Sequence, residues 1–99
     1  MQPILVTVVG KVIEFGDIYD ISPGRKAQRV LVERRYEDVR FKADVIAIFV
    51  YGNDIWKLVE SYKNEYANCN AEFICRLSGR MNNNRNTLTL SFKKVTWNH

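Results

Sequence analysis

The stretch Val39–Trp56, VRFKADVIAIFVYGNDIW, decides how the chain is read. It begins charged, becomes almost wholly apolar from Val45 to Tyr51, and breaks at Gly52. Its apolar part is rich in β-branched and aromatic residues and too short for an ordinary helix, so it reads as a central strand. Alternation along a strand places Ile46, Ile48 and Val50 on one face and Ala47, Phe49 and Tyr51 on the other. The aliphatic set is the natural core face. The second set then carries two rings outward at the mouth of a tight glycine turn; the alternative is that both faces are buried and the rings belong to the core.

Beyond Gly52, NDIWKLVESYKN has helical spacing. Ile55, Leu58, Val59 and Tyr62 form one apolar stripe, and Asn53 or Asp54 is the expected N-cap. Trp56 falls at the edge of that stripe and is expected to pack against the sheet. Glu65–Asn70 reads as a polar linker.

Before the central stretch, Ile4–Phe15 (ILVTVVGKVIEF) is a strand pattern with Gly10 in its middle, the mark of a bulge or sharp bend that lets one strand serve two sides of a curled sheet. Gly16–Lys26 is expected to be a loop around the turn signal Ser22-Pro23-Gly24. Ala27–Arg34 is a second strand, joined through Arg35–Asp38 to the central one in a hairpin with a basic tip. After the helix, Ala71–Met81 should be a fourth strand, with Phe73, Cys75 and Leu77 inward. Asn82–Asn86 is a hairpin tip, because Asn tolerates the left-handed backbone of tight turns. Thr87–Trp97 is the fifth strand, with Leu88, Leu90 and Phe92 inward. A bulge at Lys93-Lys94 lets Val95 and Trp97 point in as well.

The predicted fold class is therefore all-β with one helix, in the order β1-β2-β3-α-β4-β5. Five short antiparallel strands avoid exposed edges by closing into a barrel, with the helix plugging one end, and this is the order of the OB-fold. At 99 residues the chain should be one domain, 1–99, and it contains no repeats and no low-complexity tract. No apolar run approaches a membrane span and no signal-peptide pattern opens the chain, so the expected location is cytoplasmic, with no membrane partner. Cys69 and Cys75 lack metal-ligand spacing and read as reduced, inert thiols.

The net charge of +4 is small, but it is unevenly spread. Residues 1–23 carry −2, residues 24–42 carry +4, residues 43–75 carry −3, and residues 76–99 carry +5 with no acid after Glu72. A fold that brings 24–42 beside 76–99 would own one basic face, which points to a polyanion. Binding single strands without sequence preference requires cations along a groove and flat rings for the bases. Arg29, Arg34, Arg35, Arg40, Lys42, Arg76, Arg80 and Arg85 are the candidate cations; Tyr36, Phe49 and Tyr51 are the candidate rings.

An enzyme is not expected. The histidine is the terminal residue, and no Ser/His/Asp, Cys/His or metal triad and no phosphate-cradling glycine loop appears. No cofactor or metal is called for. An interaction module, for protein, RNA or oligosaccharide, is the competing class; the basic segments argue against a neutral sugar.

Three pieces, VVGKVIEF, IAIFVYGNDIWKL and GRMNNNRNTLTLSF, resemble the single-stranded DNA-binding proteins of the bacterial and phage OB-fold family over about Ile4 to Trp97. The chain is also similar to small uncharacterised OB domains of gut bacteria. The resemblance implies single-stranded DNA as partner, with RNA an alternative, in replication, recombination or repair, and it permits a dimer or tetramer. In the family an aromatic just before the glycine stacks on a base, the place held here by Tyr51. A second ring, commonly Trp, lies further back on the same strand. The matching region Asp44–Ala47 has none, so the resemblance implies that either Phe41 or Phe49 takes that role or stacking is weaker. Bacterial members end in a flexible tail with an acidic, Phe-terminated tip that recruits other enzymes. This sequence ends Trp97-Asn98-His99, and the expectation is a phage or mobile-element protein or a compact accessory protein.

Overall fold

A computed structural model of the chain describes residues 2–35 and 42–98. The strands are β1 (Ile4–Ser22), β2 (Arg25–Arg35), β3 (Ala43–Tyr51), β4 (Asn70–Asn82) and β5 (Arg85–Asn98). The helix α1 (Asn53–Ser61) stands between β3 and β4 and runs on into a π-helical turn, Tyr62–Tyr66. The strands close into a barrel in the order β1-β2-β3-β5-β4.

Closure depends on β1 having two partners in succession. From Ile4 to Gly10 it pairs antiparallel with β4, ending at Gly10 opposite Ala71. From Lys11, opposite Glu33, it pairs with β2. At the changeover the chains approach so closely that a Cβ on Gly10 would overlap the Glu33 carbonyl oxygen and come within 2.9 Å of Val32 Cγ1. Only glycine leaves room for that crossing.

The expected loop at Gly16–Lys26 is instead strand. β1 continues to Ser22 and β2 begins at Arg25, with Pro23 and Gly24 alone in the turn. Pro at the first central position and Gly24 at φ 76° at the second are the residues a type II turn asks for. The composition of Gly16–Asp20 argues for a loop, but register breaks at Val12/Glu14, Phe15/Ile18 and Asp20/Ser22 absorb the poorer strand formers as bulges. These breaks also coil β1 around the barrel.

The β4–β5 hairpin follows the pattern of the sequence, while the expected turn of the β2–β3 hairpin lies outside the described residues. Asn83 and Asn84 both have positive φ (48° and 64°) between the paired Asn82 and Arg85, the signature of a type I′ turn. Lys93 is the extra residue where Ile74 pairs with Lys94 but Cys75 pairs with Phe92, so Val95 and Trp97 return to the core side.

Val30, Val32, Ile48, Val50 and Phe73 are fully buried and form the core with Val8, Val12, Ala71 and Cys75. Each such aliphatic side chain contributes about 1.5–3 kcal/mol on burial. From the helix, Ile55 and Leu58 join the same cluster. In a closed barrel they reach it through an end. The helix starts at Gly52, whose φ of 60° is the left-handed turn out of β3; no side chain caps it, so neither Asn53 nor Asp54 is the N-cap. Asp54 still lies in the first turn, where its charge suits the helix dipole.

Trp56, expected against the sheet, is 55% exposed on the helix surface. The aromatic ring that docks the end of the helical segment is Tyr66, stacked on Trp97 at 5.3 Å with the planes 2° apart. Tyr62 meets Phe15 edge-on at 5.2 Å beside it. Leu88 points to the inner side but is 64% exposed, because the β4–β5 hairpin runs past the rim of the barrel. Cys75 is buried, and burial pushes its thiol up to about 11, which makes it inert at neutral pH.

Gly10→Ala should destabilise the fold by about 1–3 kcal/mol, as overpacking against backbone does. Gly79→Ala, whose new methyl would find nothing nearer than a Leu88 side-chain carbon at 3.4 Å, should change stability by no more than about 0.5 kcal/mol. Urea denaturation of the two variants checks the contrast; equal losses would mean that the crossing at Gly10 is slack.

Candidate nucleic-acid interface

The outer face of the barrel is read from the register. On β2 and β3, Arg29 stands opposite Phe49, Ala27 opposite Tyr51, and Leu31 opposite Ala47, all on the side away from the buried Val30–Ile48 pair. Phe49 is in turn opposite Ser91 across the parallel contact of β3 with β5. Ser91 pairs with Arg76 of β4. One transverse row therefore runs Arg29, Phe49, Ser91, Arg76 over four strands. Neighbouring strands lie about 4.8 Å apart, so the two arginines are roughly 14 Å apart along the curved sheet with a ring and a hydroxyl between them. Both arginines are exposed, and Phe49 and Ser91 are half-buried.

Phe49 and Tyr51 belong to the outer face, half-exposed, as the alternation of the strand predicts. Tyr51 has a partner that sequence reasoning missed. The guanidinium of Arg25 lies over its ring, 5.9 Å from the centroid, a cation–π contact. In the sequence Arg25 is only one base among several, because a contact between the first residue of β2 and the last of β3 depends on a register that the linear order does not supply.

The other predicted cations divide between the two far hairpins. Arg80 is exposed on β4 opposite Thr87, on the face of Arg76, and Arg85 flanks the asparagine turn. At the β2 end, Arg35 donates from Nε to Glu33 Oε1 at 2.7 Å, and that carboxylate raises its pKa further. Arg34 stands opposite Asp44 in the register. The tip is thus less basic than its sequence reads, since acids from the same hairpin offset both arginines. Lys42 is exposed just before β3. Tyr36, Arg40 and Phe41 lie outside the described residues.

Acids near the row are few. Asp20 is held by Lys26 at 3.1 Å, while Gly16 and Asp17 are the bulge residues facing Arg29. Among the described residues no group of three or more His, Cys, Asp or Glu could hold a metal ion, and no helix is long and apolar enough to cross a membrane.

Solved structures with this architecture include Rim1, the mitochondrial single-stranded DNA-binding protein of S. cerevisiae, with a TM-score of 0.73 over 97% of this chain and 96% of that one. The barrel is an OB-fold. The N-terminal domain of the PriB protein from Thermoanaerobacter tencongensis, solved as a dimer, shares it at a TM-score of 0.64, covering 96% of each chain. A small single-stranded DNA-binding protein from Mycoplasma pneumoniae shares it at 0.58, covering 97% of this chain and 93% of that one. Identities of 11%, 19% and 14% make this a likeness of fold. No protein-family model and no curated protein matches the sequence.

Because Phe49 and Tyr51 lie on the outer face of this OB barrel, each should be removable without loss of the fold. Phe49→Ala and Tyr51→Ala should melt within a few degrees of the parent. Ile48→Ala, which empties a fully buried site between them, should cost about 2–5 kcal/mol. Thermal unfolding followed by circular dichroism distinguishes the two kinds of position.

Proposed function

We propose that this OB barrel binds single-stranded DNA with little sequence preference along the row Arg29–Phe49–Ser91–Arg76, continued over Tyr51 and Arg25. The observation that carries the reading is the register itself, which sets Arg29 from one basic stretch and Arg76 from the other on either side of a half-exposed ring. Exposed guanidinium groups meet phosphates, and rings on a flat sheet accept bases of any identity. Arg80 and Arg85 extend the cationic surface along the β4–β5 hairpin, and Lys42 adds to it at the start of β3. Arg34 and Arg35 contribute less, because a phosphate must compete with Glu33 and Asp44 for them. The remaining candidates, Tyr36 and Arg40, lie outside the described residues.

The reading is one of binding and not of catalysis. Coating of single strands in replication, recombination or repair, in a phage or mobile element, is the role it fits. Exposed Ile4, Leu5 and Val9 on β1 suit a dimer or tetramer. RNA is the competing ligand, and the same surface would take it unless a 2′-hydroxyl is rejected.

Fluorescence titration with oligo-dT at two or more salt concentrations tests the proposal. Arg29→Ala and Arg76→Ala should each weaken binding and flatten the logarithmic salt slope by about 0.7. Phe49→Ala should cost about 1–3 kcal/mol of affinity and leave the slope unchanged. Reversal of Arg34 and Arg35 to Glu should weaken binding at low salt. If Arg29→Ala and Arg76→Ala keep the parent slope, the strand does not cross this row.

A further inference from the structure

Ala27 is completely buried, yet it does not belong to the packed cluster inside the barrel. It stands on the outer face of β2, and its two cross-strand partners there are both tyrosines: Tyr51 on β3 and Tyr19 on β1. Side chains directly opposite one another across a sheet share a face, so the two rings rise on either side of a single methyl group. Their Cα atoms are two strand spacings apart, roughly 9–10 Å. Along β2, the neighbours on the same face are Arg25 and Arg29, two residues before and after Ala27, and Arg25 lies over the ring of Tyr51. A small residue that water does not reach, between two large rings, is one that the surrounding side chains have closed over.

Tyr19 itself is 45% exposed. Its position in β1 is firm: Ile18, just before it, pairs with Gln28 and packs against the core, which turns Tyr19 outward. Gln28 ties this part of β1 down by donating from Nε2 to the Gly16 carbonyl at 2.8 Å. The neighbouring acid, Asp20, is neutralised by Lys26 at 3.1 Å. A half-exposed ring is thus fixed on a paired strand, in line with a second ring and flanked by two arginines.

We infer that Tyr19, Ala27 and Tyr51 form a second base-stacking platform, so that the bound strand passes beyond Tyr51 on to the distal arm of β1. The ligand class is an unpaired nucleotide, with its base on the Tyr19 ring and its phosphates within reach of Arg25 and Arg29. This rests on the single-strand reading and lengthens the path, carrying it from β4 across β5, β3 and β2 to β1. Ala27 acts as a positioning residue, since any larger side chain there would push the rings apart.

The experiment uses oligo-dT and four proteins: the parent, Phe49→Ala, Tyr19→Ala and Tyr19→Trp. Tyr19→Ala should weaken binding of a long oligonucleotide roughly 5- to 150-fold, the range for loss of one stacked base. The emission that Tyr19→Trp adds to that of the parent should be quenched when DNA is added, while affinity stays near the parent value. Parent-like binding by Tyr19→Ala, with Phe49→Ala weakened, overturns the platform and leaves the main row standing. Should Tyr19→Ala unfold, an unquenched added emission in Tyr19→Trp overturns it equally. Failure of the parent itself to bind oligo-dT would remove both readings together.

Discussion

The parallel contact of β3 with β5, centred on Phe49 opposite Ser91, is what makes a barrel of these strands and a candidate interface of their outer faces. Without it the chain would be two hairpins hinged on β1: β2–β3 on one side and β4–β5 on the other. Each would carry its own arginines, and their charges would have no fixed relation. With the contact made, the outward residues of four strands fall into line, and Arg29 and Arg76 face the same solvent across one ring. The other seam, at Gly10, makes this possible. β1 leaves β4 and joins β2 there through a crossing so tight that a side chain would strike the opposite backbone. Fold and candidate site share one cause, which is the transfer of a long strand between two partners.

Charge acts within that frame. The two basic segments are remote in sequence and become neighbours only through β3 and β5. Of the cations they hold, Arg29 and Arg76 on the flat of the sheet are exposed beside Phe49 and Ser91, with Asp17 across from Arg29, whereas those at the β2 end face Glu33 and Asp44. Exposed ion pairs of this kind contribute little to stability. They matter here for the surface potential, because they offset a tip that its sequence makes look strongly cationic. The exposed cations that the proposed single strand would meet are therefore those of the middle of the sheet and of the β4–β5 hairpin. The rings are in the same place.

Local patterns in the sequence were enough for much of this. The alternation from Val45 to Tyr51 separates core from outer face correctly, the run of asparagines marks a turn with positive φ, and the double lysine marks a bulge. The readings that failed concern places where tertiary pairing overrides composition. Gly16, Asp17 and Asp20 look like loop, and β2 holds them as bulged strand. Trp56 lies at the margin of an apolar stripe, about 100° round the helix from the buried Ile55, and is in solvent, while Tyr66 and Trp97 make the aromatic contact instead. Arg25 and Tyr19 were invisible as partners of Tyr51 because their association depends on the register of three strands, and register is a property of closure and turns. The site was legible as a set of residue types and became a line of residues only in the fold.

The central claim is that single-stranded DNA crosses the barrel along that line. The most direct measurement is an NMR titration of the 15N-labelled protein with oligo-dT, following backbone amide shifts residue by residue. The largest changes should fall on Arg29, Phe49, Tyr51, Ser91 and Arg76, on adjacent strands, with the α1 amides near Trp56 and the outer face of β1 around Thr7 to Val9 unmoved. Changes concentrated on the helix or on that first half of β1, with the row silent, would contradict it.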